Sequence, residues 1–365
     1  MADYLKKELK ELGMDVHEDA AAVRLEQVCK QSLQKEQNLS GNLWAVLPGN
    51  LEHQKENQEK ALLFCAHMDT VSPGKGKKAL VHKDGTITSD GTTVLGADDA
   101  SGIAEILEVL QVLKESDCRH PDIEILFTAA EEPYCQGSRL FAYDRLHAKR
   151  AYVLDLSGCV GTAALAAPAI YSLYLRVRGK SAHAGFCPQD GVHAIYIASR
   201  AIGDLPFGHV DADTTVNFGT IQGGQGKNIV PEEVYLTGEI RSMDPEKARR
   251  WIDRIRKTFE QYADEAGGAA EIRVEKEFDA YRIQQDAAVA QIFKKAAEQM
   301  GLPVQFVETF GGSDNNNLNS HGISGIVVAN AMKDVHTVRE STHIDEMENC
   351  ARLILEMIQK SLELS

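Results

Sequence analysis

No Cys-x-x-Cys pair occurs among the seven cysteines of the 365-residue chain. An odd set of scattered thiols argues against a disulfide framework and fits the reduced thiols of a cytoplasmic protein. Basic residues are in deficit: 39 Lys and Arg stand against 54 Asp and Glu, a net charge of −15. No Lys/Arg stripe offsets that excess, which argues against a nucleic-acid or anionic-membrane partner. No run reaches the ~18 apolar residues that a membrane span needs. Residues 1–13 read as an amphipathic helix with Leu5, Leu9 and Leu12 on one face, lacking the apolar stretch and cleavage site of a signal peptide. Repeats and low-complexity tracts are missing too. What remains, 43% hydrophobic and 25% charged residues over a length sufficient for two domains, is ordinary for a globular protein and disfavours disordered and fibrous classes.

Hydrophobic patterning alternates between strand and helix up to about residue 165. Strands are expected near 42–47 and at 61–66, 123–130 and 151–156, with a strong helix at 102–114, an alternation that indicates an α/β sheet. The character changes near 163–168. A half-exposed strand at 171–178, a helix at 191–202, strands at 214–219 and 234–241, a helix at 245–266 and a strand at 271–278 would make a compact α+β insert. The first pattern returns with a helix at 287–300, strands at 304–308 and 326–329, and a closing helix at 344–362. The expected organisation is a discontinuous larger domain, 1–166 with 278–365, split by an insert at 167–277.

Three short stretches carry the chemistry: Ala66-His67-Met68-Asp69-Thr70, Gly96-Ala97-Asp98-Asp99 and Ala130-Glu131-Glu132-Pro133. Each reads as the end of an apolar, strand-like run, where unpaired charge is costly and where open α/β sheets place their sites. Metal coordination reconciles the charge with the setting. His67 and Asp69 flank one residue, so at a strand end they share a face, His67 as a ligand and Asp69 as the group that orients its imidazole. One of Asp98 and Asp99 satisfies a helix cap and leaves the other spare, and a carboxylate can bridge two metal ions ~3.5–4 Å apart. Glu131 and Glu132 point in opposite directions on an extended backbone, so that one binds metal and the other takes a proton from the attacking water; acids at a helix N-terminus are the alternative. Asp155, ending the strand at 151–156, is the next candidate ligand, or a turn residue. His336 is the late candidate, with His321 and His343 as competitors whose settings suggest solvent exposure.

With the further runs Asp90-Gly-Thr-Thr-Val-Leu-Gly-Ala-Asp98-Asp99, Gly179-Lys-Ser-Ala-His183-Ala-Gly, Gly223-Gly-Gln-Gly-Lys-Asn228-Ile-Val-Pro231 and Gly311-Gly-Ser-Asp314, the sequence resembles the M20 family of zinc peptidases, in its tripeptidase T-like branch. The resemblance spans nearly the whole chain in the family's order. It implies a zinc-binding α/β catalytic domain, with a mixed sheet flanked by helices, interrupted by a smaller α+β lid domain through which subunits dimerise. It also implies two Zn2+ ions, one held by His67, Asp98 and Asp155 and the other by Asp98, Glu132 and His336, with Glu131 as general base, Asp69 as partner of His67 and a cis peptide between Asp98 and Asp99. His183 would reach into the partner subunit's site to stabilise the oxyanion, while Asn228 and Arg241 would contact substrate; Arg241 pairing with Glu239 or Asp244 is the plainer alternative. Gly312 would offer backbone N–H near the substrate. Ala100 stands where the branch often has Lys, at the edge of the site.

The expected function is a cytoplasmic dizinc metallopeptidase, a homodimeric aminopeptidase of tripeptidase T-like specificity acting on small peptides. Co2+ or Mn2+ are possible substitutes, because ligand type alone does not separate them from zinc. Alternatives are an M20 amidohydrolase or carboxypeptidase acting on N-acyl amino acids, and a catalytically silent binding protein on the same scaffold. A purely structural zinc site fits poorly, since such sites favour closed Cys/His sets.

Overall fold

The computed structural model describes residues 1–25 and 40–363. Contacts divide the chain into Met1–Ala166, Arg282–Thr309 and Ser313–Ser365 on one hand, and Ala167–Tyr281 with Phe310–Gly312 on the other. Among the described residues no helix is long and apolar enough to cross a membrane.

The first unit is built on a mixed sheet whose strands run, in spatial order, Asp15–Glu18, Leu43–Leu47, Ile123–Thr128, Leu62–His67, Arg150–Leu156, Ser324–Ala329 and Thr162–Ala167. The central pairings, from Ile123–Thr128 through Ser324–Ala329, are parallel. Every residue of Leu62–His67 and Ile123–Thr128 is buried, because helices cover both faces of such a sheet. Alternate residues serve opposite cores. Leu62, Phe64 and Ala66 join Leu5, Ile106, Phe293 and Leu353, whereas Ala61, Leu63 and Cys65 join Phe141 and Leu318. Glu124 sits inside this apolar strand because its two carboxylate oxygens accept from His147 N (2.8 Å) and Ala148 N (3.1 Å). The N-terminal helix, Ala2–Glu11, buries Leu5 and Leu9 as its pattern predicts.

The second unit is an antiparallel sheet ordered Gly208–Asp211, Thr214–Gly223, Glu233–Ser242, Ala169–Arg178, Ala269–Phe278. Ala194–Gly203 and Pro245–Glu265 pack on it, burying Ile197, Ala201, Ile255 and Phe259 against Leu173, Leu175, Leu236 and Ile240. Asp244 caps the longer helix, accepting from Glu246 N at 2.9 Å. The mixed sheet with flanking helices and the separate α+β unit agree with the fold class expected from the patterning.

Candidate metal centre

His67 is the last residue of Leu62–His67, Asp155 lies near the end of Arg150–Leu156, and Glu131 and Glu132 follow Ile123–Thr128. These three strands are parallel neighbours, so their carboxyl ends converge. Asp98 comes from the start of the helix Ala97–Glu115, where it and Asp99 depart from helical geometry (ψ 98 and 34) across a cis peptide. His336 comes from the loop after Ser324–Ala329. Non-glycine residues of positive φ cluster beside these positions, at Ala130, Tyr134, Cys135, Ala331, Asp334 and His336 itself. Such backbone recurs where tertiary structure holds a site in place.

The two oxygens of Asp98 face different histidines. Oδ1 lies 2.8 Å from His67 Nε2 and Oδ2 lies 3.1 Å from His336 Nε2. Glu132 Oε2 is 3.2 Å from His336 Nε2, and Asp155 Oδ1 is 4.0 Å from His67 Nε2. Single ligand atoms of His67, Asp98 and Glu132 lie within 4.8 Å of one another, a set that can hold a metal ion. Glu132 Oε1 is buried without a hydrogen-bond partner. Three carboxylates around two imidazoles, one of them with an orphaned oxygen, call for positive charge, and oxygen-plus-imidazole donors suit a divalent transition ion. The residues fit a metal.

The carboxylates around this centre divide the supporting work. Asp69 Oδ1 and Oδ2 accept from Glu131 N (2.9 Å) and Glu132 N (3.1 Å). Toward His67 Nδ1 the nearer Asp69 atom is the backbone oxygen at 3.1 Å, with the carboxylate at 3.5 Å. Asp99 accepts from His67 N (3.2 Å), Gly102 N (3.3 Å) and Asn330 Nδ2 (2.9 Å), so it caps the helix while its neighbour Asp98 faces the histidines. Glu131 accepts from the Cys135 thiol at 3.1 Å, and burial pushes its carboxyl up to about 8. Burial likewise raises Asp155, reinforced by the charges of Asp98 and Glu131. For Asp98 burial acts upward as well, but hydrogen bonds from His336 and His67 outweigh it and hold the carboxyl below its usual range.

His321 and His343 are engaged elsewhere. His321 Nδ1 is 2.8 Å from Asn317 O and its ring stacks on Tyr143, while His343 Nε2 is 2.7 Å from Asp84 O. The remaining expected site residues belong to the second unit. His183 Nδ1 accepts from Gly185 N and Phe186 N at 3.1 and 3.2 Å, which puts the ring proton on Nε2. Asn228 is exposed and its backbone oxygen accepts from Ala184 N at 3.0 Å. Arg241 donates to both oxygens of Glu239 (2.9 and 3.0 Å) and to Phe310 O (2.9 Å), the pairing that was its plainer alternative. A Cβ on Gly312 would lie 2.7 Å from the Phe278 ring, so no larger residue fits there.

Sequence reasoning missed Asp314 as a framework group. It is fully buried and accepts from Thr128 Oγ1 and Ser138 Oγ, both at 2.5 Å, tying the end of Ile123–Thr128 and the short helix Gln136–Leu140 to the helix Asp314–Ser320. The only signal was its place at the end of Gly-Gly-Ser-Asp.

Residues 168–267 match the model of the peptidase dimerisation domain and residues 47–170 that of peptidase family M28. An uncharacterized protein of Bacillus subtilis, YqjE, is 36% identical over 357 residues, covering 98% of this chain and 91% of the relative. A tripeptidase from Staphylococcus aureus is similar in structure with a TM-score of 0.90 at 36% identity, and aminopeptidase PepT from Bacillus cereus with 0.86 at 35%. Each alignment covers 99% of this chain and 92% of the solved one.

Proposed function

The chain belongs to the M20 peptidases, in their peptidase T-like branch, and from that premise we propose a two-metal aminopeptidase that shortens small peptides, tripeptides foremost, from the amino end. As a member of that branch it is a hydrolase acting on peptide bonds of small peptides. The M28 match stops where the insert begins, whereas the relatives of that branch extend over both units.

The observation that carries the two-metal reading is Asp98, with one oxygen toward His67 and the other toward His336. His67, Asp98 and Asp155 would hold one ion, and Asp98, Glu132 and His336 the other; zinc is the proposed metal, with cobalt or manganese as substitutes. Such a pair supplies Lewis acidity, polarising the scissile carbonyl and lowering the pKa of water. Glu131 takes the proton of the attacking water and returns it to the leaving amine. Burial, which raises the proton affinity of the Glu131 carboxyl, supports that exchange, and the Cys135 thiol fixes one oxygen of the base. Asp69 holds the Glu131-Glu132 backbone through both of its own oxygens.

The second unit supplies the proposed substrate contacts. His183 Nε2–H is an oxyanion donor, with Nδ1 already occupied. Asn228, Arg241 and the backbone at Gly312 bind substrate, Arg241 by exchanging Glu239 for a peptide carboxylate. The peptidase dimerisation domain at 168–267 supports a homodimer formed through this unit. Six free thiols among the described residues support a cytoplasmic location.

The test is hydrolysis of a free tripeptide, its N-acetylated form, a dipeptide and an N-acetyl amino acid by zinc-loaded wild type beside Glu131→Ala. The expected result is cleavage of the free tripeptide, lost in the variant and lost from wild type on chelation. Cleavage of the acylated compounds instead moves the function to an N-acyl amidohydrolase, activity surviving in Glu131→Ala overturns the base, and an inert wild type leaves a binding protein.

A further inference from the structure

Glu340 is 1% exposed and lies four residues beyond His336. Its side chain leaves its own loop. Oε2 accepts from Gly96 N at 2.7 Å and Oε1 accepts from Asp98 N at 2.9 Å, across 244 and 242 residues of sequence. The loop bearing His336 and Glu340 is closed at its base by reciprocal backbone bonds between Lys333 and Ser341 (2.9 and 3.0 Å), and turned inside by Glu340 N to Thr337 O at 3.1 Å. A second contact holds it to the same segment, since Ser89 Oγ bonds Thr93 O at 2.7 Å and reaches Val338 O at 3.4 Å.

The carboxylate has a cationic neighbour. A Cβ built on Gly96, whose φ is 77, would fall on the Lys77 ammonium, so that group lies over the peptide Glu340 binds. Burial of a carboxylate is costly without partners, and here two backbone donors satisfy both oxygens while the Lys77 charge acts on it from nearby.

We infer that Glu340 is a positioning residue that locks the His336 loop to the backbone of Asp98 and so fixes the spacing on which both metal positions depend. The inference rests on the two-metal reading of the site. Asp98 is shared by both proposed ions, so loosening its backbone weakens both together, whereas loss of a ligand private to one ion would not.

The test is zinc binding by the full-length protein in competition with a chelator of known affinity, for wild type, Glu340→Gln, Lys77→Met and Glu124→Gln. Gln replaces one acceptor by an amide that points donors at a donor. Glu340→Gln is expected to keep wild-type far-ultraviolet circular dichroism and to bind both zinc equivalents about 10- to 100-fold more weakly, the range for groups that orient metal ligands. At saturating zinc its KM is expected to stay within twofold of wild type. Lys77→Met weakens binding in the same direction and serves if Glu340→Gln does not fold. Glu124→Gln is the structural comparison, since that buried carboxylate also accepts two backbone N–H bonds but from His147 and Ala148. It is expected to leave zinc affinity unchanged. Wild-type affinity in both Glu340→Gln and Lys77→Met, or an equal loss in Glu124→Gln, overturns the role of Glu340 alone. A wild type that binds no zinc overturns the metal reading and this inference with it.

Discussion

Substitution of Asp69 by Asn tests whether Glu131, the proposed base, and Glu132, the proposed ligand beside it, are aimed through their backbone. Both oxygens of Asp69 are engaged, at 2.9 Å to Glu131 N and 3.1 Å to Glu132 N. Asn keeps the shape but turns one acceptor into a donor facing an N–H, so one of the two bonds is lost. A hydrogen bond to a charged group contributes ~1.5–3 kcal/mol. If that energy holds the Glu131-Glu132 turn in its reactive position, kcat falls by roughly 10- to 150-fold, at about 1.4 kcal/mol per tenfold. The assay is steady-state hydrolysis of a free tripeptide at saturating zinc, which separates misplacement of the base from loss of metal, with circular dichroism to establish that the variant is folded. His67 gives a second readout, because its Nδ1 lies nearer the Asp69 backbone oxygen than the carboxylate and should keep that contact. A kcat within threefold of wild type would refute the reasoning, since the lost bond would then contribute nothing that the turn needs.

Arg241→Met should raise KM for a free tripeptide by about 10- to 150-fold with little change in kcat, the effect of one lost charged hydrogen bond, and should abolish any difference in KM between that peptide and its C-terminal amide; an unchanged ratio would leave Arg241 as the partner of Glu239 alone. Gly137→Ala would put a Cβ 1.9 Å from Ala129 O and 2.5 Å from Asn42 Oδ1, so the loop bearing the base must move; overpacking of this kind costs ~1–3 kcal/mol or more, and thermal unfolding and kcat should both fall. Glu105 is 2% exposed, the weakly donating Cys350 thiol faces it, and burial outweighs that bond and holds its carboxyl well above the ordinary range. The folded state therefore keeps a proton that the unfolded chain releases, and the stability tied to Glu105 is present at low pH and lost as pH rises from ~4.3 through the folded value. Urea midpoints should accordingly show Glu105→Gln gaining on wild type between pH 5 and pH 8; a constant difference would refute this.

Much of the centre was legible because charge stood where apolar strands end. His67 and Glu131-Glu132 follow runs that are buried throughout, and Asp99 took the capping role that one of two adjacent acids was expected to fill. Other parts left no local trace. The strand Thr162–Ala167 is four parts alanine, a residue depleted in strands, and its place is set by pairing with Ser324–Ala329. The helix Asp314–Ser320 carries three consecutive asparagines and buries them, the reverse of an amphipathic pattern. Asn315 Nδ2 reaches Gly325 O and Asn317 Nδ2 reaches Ser138 Oγ, bonds that local propensity cannot anticipate. Glu340 acts across a tertiary contact, and nothing around it in sequence sets it apart. The attachment of Phe310–Gly312 to the second unit is likewise a matter of packing, and no pattern marks it.

The insertion of one unit within the other has a consequence for the order in which the molecule can be completed. Arg150–Leu156 pairs on one side with Leu62–His67 and on the other with Ser324–Ala329, yet the residues from Ala167 to Tyr281 intervene. During synthesis from the amino end, the growing chain carries a hydrophobic strand with an open edge until more than a hundred further residues have emerged, and such edges invite pairing with other chains. The intervening segment has its own core and can fold within that interval, holding its two ends as a ready-made loop rather than a long flexible one, which reduces the entropy of closure when the last strands arrive. His336 and Glu340 belong to that final stretch. With the proposed metal set, the hydrolytic centre is therefore complete only once His336 and Glu340, which follow the inserted unit, have emerged.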